Sequence, residues 1–133
     1  MKVFLDTNVL ASALATRGLC AELFEAVLQS HELLVSPPVM KELECVLPGK
    51  LGLSRQITED YIALLRNHAT LIIHEKSGVS LPDPDDEPIV ASALFGKAQV
   101  FVTGDKALLQ LGKVEGLPII SPRQFWEMLA GRE

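Results

Sequence analysis

Residues 1–10 read Met1-Lys2-Val3-Phe4-Leu5-Asp6-Thr7-Asn8-Val9-Leu10. Val3, Phe4 and Leu5 form a short, unbroken apolar run, the pattern of a strand buried on both faces. The run stops at once on a carboxylate, a hydroxyl and an amide. Asp6 therefore stands just past the carboxyl end of a first strand. What that aspartate does depends on how the rest of the chain is arranged around it.

Working outward, short apolar runs alternate with helical periods. Ala21 to Ser30 puts Leu23, Phe24, Val27 and Leu28 on one helical face, and Leu33-Leu34-Val35 is a second strand. Ser36-Pro37-Pro38 reads as an N-cap with prolines at the first helical positions. That helix runs to about Leu47 and is stopped by Pro48-Gly49. A loop over Gly49–Arg55 carries Lys50 and Arg55, and Thr58-Glu59-Asp60 opens a helix with Ile62, Leu65 and Ala69 at core spacing.

Leu71-Ile72-Ile73 is a third strand, followed by a polar loop over 76–84 and a helix over Asp85–Lys97. Val100-Phe101-Val102 is a fourth strand, Lys106–Leu111 a short helix, and Pro118-Ile119-Ile120 a fifth strand. Ser121-Pro122 caps a last helix carrying Phe125, Trp126 and Leu129. The alternation predicts one α/β domain over 1–133, with a five-stranded parallel sheet flanked by helices on both faces.

Bulk properties narrow the function classes. The chain has 133 residues, of which 48% are hydrophobic and 22% charged, an ordinary globular balance. Its net charge of −5 argues against gripping nucleic acid by bulk electrostatics, although a divalent metal can invert the local sign of an acidic site. Cys20 and Cys45 are too few for a disulfide scaffold or a cysteine zinc site, and both are expected as small buried hydrophobes on helices. Neither a signal peptide nor a membrane-spanning stretch is read, so a reducing cytoplasm is expected.

The acids complete the frame. Asp105, in Val102-Thr103-Gly104-Asp105, follows the fourth strand as Asp6 follows the first. In an open α/β sheet, ligands bind beyond the carboxyl ends of the strands, where strand order reverses. Pro82-Asp83-Pro84-Asp85-Asp86-Glu87-Pro88 opens a helix running back to that edge, and Glu42 lies early in the helix after the second strand. Crowded carboxylates raise one another's pKa unless a cation neutralises them. All-carboxylate ligation suits Mg²⁺ or Mn²⁺ rather than Zn²⁺, and none of His31, His68 and His74 falls at a strand end. Each acid also has a simpler reading. Asp6, Asp85 and Asp105 suit helix caps or Asx-turns, and Glu42 suits a solvated helix face. The joint placement separates the readings.

In these residues the chain resembles PIN-domain ribonucleases, in particular the small VapC-like toxins of toxin–antitoxin pairs. The likeness rests on the opening apolar-Asp-Thr-Asn-Val-Leu, on Ser36-Pro37-Pro38 through Glu42-Leu43, on Asp83-Pro84-Asp85-Asp86 through Ile89-Val90-Ala91, and on Val102-Thr103-Gly104-Asp105. It implies a Mg²⁺- or Mn²⁺-dependent endonuclease cutting single-stranded RNA. Asp6, Glu42, Asp86 and Asp105 would be catalytic and metal-binding, and Asn8 and Thr103 supporting polar groups. Asp86 is preferred because Ile89 sets the register of the family pattern, which leaves Asp85 as the helix cap.

The rivals are a haloacid-dehalogenase-like phosphatase, a phospho-accepting receiver domain and a silent PIN fold serving as an RNA- or protein-binding module. The phosphatase needs an acid where Asn8 stands, and an amide cannot protonate a leaving group. The receiver domain needs an aspartate ending a central strand, where Val35 is followed by Ser36. The silent module has no use for a full acid set.

Arg17 and the Lys50–Arg55 loop are candidate phosphate contacts and equally ordinary solvated cations, so no substrate-binding residue is assigned. A protein antitoxin is implied as partner, with no membrane association. A homodimer is expected through the helices Pro37–Leu47 and Thr58–Ala69, because Tyr61, Ile62, Leu64 and Leu65 read as apolar surface beyond what one core can use.

Overall fold

A computed structural model describes residues 1–73 and 79–131. The most apolar runs form the centre of the sheet. β1 (Lys2–Leu5) pairs in parallel with β2 (Glu32–Val35) on one side and β4 (Val100–Val102) on the other. Val3, Phe4 and Leu5 are fully buried, and Phe4 and Phe101, opposite each other in register, stack with centroids 5.3 Å apart. Such strands have no polar face because helices cover both sides.

Outward from β2 lies the edge strand β3 (Thr70–Leu71), and outward from β4 lie β6 (Leu117–Ile120) and then β5 (Lys113–Val114). The order β3-β2-β1-β4-β6-β5 makes a six-stranded mixed sheet, where five parallel strands are predicted. The added strand arises from a hairpin. Glu115 (φ 48°) and Gly116 (φ 87°) both take left-handed backbone, the requirement of a two-residue turn, and pair β5 with β6 antiparallel. The third strand is also shorter than Leu71-Ile72-Ile73. Ile72 still donates to the Val35 carbonyl at 2.7 Å, but Leu71 and Ile73 lie exposed at the sheet edge.

The helices are α1 (Thr7–Ala15), α2 (Leu19–Ser30), α3 (Pro37–Val46), α4 (Arg55–His68), α5 (Glu87–Phe95), α6 (Lys106–Leu111) and α7 (Pro122–Leu129). α4 begins earlier than Thr58 because the Ser54 hydroxyl accepts from the Ile57 N–H, so Arg55 belongs to the helix rather than to a loop. α5 begins later than Asp85. A 3₁₀ turn over Pro84–Asp86 comes first, capped by Asp83, whose Oδ1 accepts from the Asp85 N–H. Asp85 is therefore not the cap of α5. Ser36 takes the cap position of α3, but its hydroxyl makes no cap bond and, though buried, has no hydrogen-bond partner among the described residues. Pro37 and Pro38 have no N–H to offer it.

The residues expected to leave apolar surface over are largely spent inside the protomer. Tyr61, Ile62 and Leu65 are buried and Leu64 is half-buried. Tyr61 reaches across to α1, where its hydroxyl donates to the Leu10 carbonyl at 2.7 Å. Cys45, expected buried, is exposed, and Cys20 is half-buried. Among the described residues no helix is long and apolar enough to cross a membrane.

Candidate active site

Strand order reverses between β1 and β4, so the residues just beyond both strands share one crevice. The Asp6 N–H donates to the Val102 carbonyl at 2.9 Å, carrying the sheet ladder one residue past β1. Its side chain is only 7% exposed. Oδ1 accepts from the Thr7 N–H at 2.8 Å, and Oδ2 accepts from the Thr103 hydroxyl at 2.8 Å and from Asn8 Nδ2 at 3.2 Å. Asn8 is held in turn by the Gly104 N–H, which donates to its Oδ1 at 2.8 Å. A Cβ at Gly104 would stand 3.3 Å from that oxygen, so the bare backbone keeps the approach open.

Asp105 joins from the β4 side. Its N–H donates to the Thr103 hydroxyl at 3.0 Å, while its Oδ1 accepts from the Ala107 N–H at 2.8 Å and caps α6. Glu42 joins from α3, through a short hydrogen bond in which the Thr7 hydroxyl donates to its Oε1. Asp86 sits at the junction of the 3₁₀ turn and α5, half-buried, and makes no cap bond. Glu87, beside it, accepts from the Leu81 N–H at 2.9 Å and is thereby committed to the loop.

The acids act on one another. Burial pushes the Asp6 carboxyl above its usual range, opposed by the Thr103 and Thr7 hydrogen bonds and reinforced by Glu42 and Asp105. Asp86 is pushed up to about 6, first by burial and then by the charges of Asp83, Asp105, Asp6 and Glu42. Four carboxylates from four segments thus lie within electrostatic reach of one another. Among the described residues none of them meets a Lys or Arg; the one ion pair is Arg55 with Glu59, at 3.6 Å.

Capping and site readings coexist at Asp6 and Asp105. One oxygen of each carboxylate serves its helix, and Asp6 turns the other into the crevice network. Sequence reasoning gave no role to Thr7, which ties Glu42 to the β1 end. Its place between Asp6 and Asn8 was the available signal. Asp83, which the sequence reading leaves without a role, bears on Asp86 by its charge more than any other acid does.

The model of the PIN-domain family matches residues 2–107, which include all four acids. The chain belongs to the PIN-domain family. Among solved structures, this PIN domain is similar to a chain of VapBC2 from Rickettsia felis bound to a DNA fragment from the promoter. The TM-score is 0.66 at 14% identity, over 91% of this chain and 98% of that one. It is similar to a chain of VapBC-1 from nontypeable Haemophilus influenzae, with a TM-score of 0.63 at 20% identity, over 92% and 99%. It is also similar to the PIN domain endonuclease Utp24, with a TM-score of 0.56 at 24% identity, over 90% and 84%. At these identities the likeness is one of fold. No curated protein is similar enough in sequence to be counted a relative. PIN domains are in general nucleases, hydrolases that act with divalent metal ions.

The donor set fits such an ion. It consists of carboxylate oxygens alone, as a hard cation requires, and a cation would oppose the rise that burial first and the neighbouring acids second impose on Asp86. In the conformation described, no three Asp, Glu, His or Cys side chains among the described residues form a ready ion cage.

Proposed function

We propose that this PIN domain is a Mg²⁺- or Mn²⁺-dependent endoribonuclease that hydrolyses single-stranded RNA, and that it is the toxin of a toxin–antitoxin pair. One observation carries the nuclease reading. A buried Asp6 at the sheet's reversal point is held by hydroxyl and amide donors, while Glu42, Asp86 and Asp105 bear on the same crevice without an ion pair to Lys or Arg among the described residues. Asp6, Glu42, Asp86 and Asp105 would hold the cation. When bound, it would supply Lewis-acid polarisation of a phosphodiester and activation of water for in-line attack.

The chain's own groups prepare that chemistry. Thr103, Thr7 and Asn8 lock Asp6 in one rotamer, so its oxygens need no reorganisation. Asp86, raised to about 6 by burial and its acidic neighbours, would return toward the ordinary range on binding the cation, so metal binding and its deprotonation would be coupled.

The decisive experiment compares wild type with Asp6→Asn on unstructured RNA, with Mg²⁺, Mn²⁺ or EDTA. Cleavage by wild type with either metal, and its loss in EDTA and in the variant, is expected. Equal cleavage by the variant would remove Asp6 from the chemistry, and absence of cleavage by wild type would leave the silent binding module as the better reading.

The toxin assignment is supported by fold likeness to chains of two VapBC structures. It carries a protein antitoxin as partner and a cytoplasmic location. The homodimer now draws on the family resemblance alone, since the apolar residues first assigned to it are mostly interior. Light scattering at tens of micromolar tests it, and a monomer would remove the dimer without touching the chemistry.

A further inference from the structure

α3 separates two surfaces of opposite character. Glu42 leaves one flank toward Thr7 and the acids. The next residue back, Lys41, lines a cavity of about 720 Å³ on the other flank, together with Pro37, Glu44, Arg66 and Leu71. Pro37 opens α3 directly after β2, and Leu71 ends β3, so this cavity opens at the carboxyl edge of the sheet, as the acid crevice does. One helix, about 10–12 Å across with its side chains, lies between them.

Charge distinguishes this cavity from its neighbour. The adjoining cavity between α3 and α4, about 470 Å³, is lined by Arg55 and Arg66 against Glu44 and Glu59, and Arg55 is already paired with Glu59. The Lys41 cavity shares Arg66 and Glu44 with that neighbour and adds Lys41, on a lining otherwise largely apolar through Pro37, Met40, Cys45 and Leu71. Neither Lys41 nor Arg66 forms an ion pair among the described residues. Lysine and arginine gathered beside an acid crevice suit a phosphodiester backbone, which carries a charge at every residue.

We infer that the groove lined by Lys41 and Arg66 is the track for the single-stranded RNA backbone flanking the scissile phosphate, crossing α3 at its first turns. This rests on the nuclease reading, deepening it by naming where the substrate runs. The contacts are to phosphate, so they set register and affinity and carry no base specificity.

The test is binding of a labelled unstructured RNA, about ten nucleotides long, to wild type and to the Lys41→Ala/Arg66→Ala variant. Fluorescence anisotropy is read in EDTA across a salt series, with Lys113→Ala as the control cation. Each phosphate contact on a single strand contributes about 0.7 to the slope of log K against log salt. Loss of two contacts lowers the slope by about 1.4 and weakens binding on the order of 25-fold at 0.1 M salt. Hydrolysis of bis-(p-nitrophenyl) phosphate, too small to span α3, is expected to match wild type in the variant. An unchanged salt slope overturns the track. Equal competition by a poly-glutamate peptide of matching charge also overturns it, in favour of an acidic polypeptide. Absence of hydrolysis in wild type with intact RNA binding instead defeats the nuclease reading, so the two failures are distinct.

Discussion

The Thr103 hydroxyl donates to Asp6 Oδ2 at 2.8 Å and accepts from the Asp105 N–H at 3.0 Å. One atom therefore ties the acid after β1 to the acid after β4 across the point where strand order reverses. Thr103 is fully buried, and Asn8 Nδ2 is the other donor to Asp6 Oδ2, at 3.2 Å.

Thr103→Val removes the donor and leaves the burial of Asp6 less opposed. The Asp6 carboxyl rises further, and the fold loses about 1–3 kcal/mol, the usual cost of stranding a buried partner. Thr103→Ser keeps the hydroxyl and restores most of both. Denaturant melts and RNA cleavage of the two variants check it; a valine variant as stable and active as wild type refutes the tie.

Asp86→Asn is expected to abolish cleavage and stabilise the metal-free fold. The folded Asp86 value, about 6, lies above its ordinary 3.8. Its favourable contribution is present below 3.8 and lost as pH rises through 6. The variant has no such loss, so its advantage opens between about pH 4 and 6 and holds at pH 7. The gain is on the order of 1 kcal/mol after screening of this partly open group. Thermal melts from pH 4 to 7 read the effect, and a lower Tm for the asparagine variant at pH 7 returns Asp86 to a purely structural role.

Millimolar Mg²⁺ or Mn²⁺ should raise the Tm of wild type. A cation at ten to a hundred times its Kd adds about 1.4–2.7 kcal/mol. It should also draw the Asp86 titration, followed by carboxyl NMR shifts, back toward the usual range. Asp6→Asn should blunt both responses; identical responses in that variant would mean that the cation binds elsewhere.

Thr7 is the link to α3, because its hydroxyl donates to Glu42. Thr7→Val frees Glu42, and cation affinity should fall roughly tenfold, the scale seen for groups that orient metal ligands. Thr7→Ser should hold affinity within about twofold. Isothermal titration with Mn²⁺ reads both, and equal weakening by serine and valine would assign Thr7 to packing alone.

Much of this architecture was legible in the chain. Val3-Phe4-Leu5 and Val100-Phe101-Val102 announce central strands because a strand buried on both faces has no polar positions to blur the run. The acids after them, with Glu42 in the second turn of α3 and Asp86 at the start of α5, follow from the rule that parallel strands deliver their carboxyl ends to one edge. Local chemistry is read well wherever the partners are near in sequence, as at the Ser121 cap of α7.

What the sequence by itself determined, then, was an α/β chain with acids at its strand ends. The tertiary structure alone decided the pairings. The Lys113–Val114 strand is too short to signal, and exists because the Glu115-Gly116 turn folds it onto β6. Tyr61 looks like spare surface until α4 packs on α1 and buries it. Thr7 finds Glu42 across 35 positions, and Thr103 finds Asp6 across 97. Periodicity reports which face of an element is apolar, but not which distant element will cover it. Hydrogen bonds act over a few ångströms and screened fields over about 10 Å, so only the closed fold determines which carboxylates, hydroxyls and cations meet.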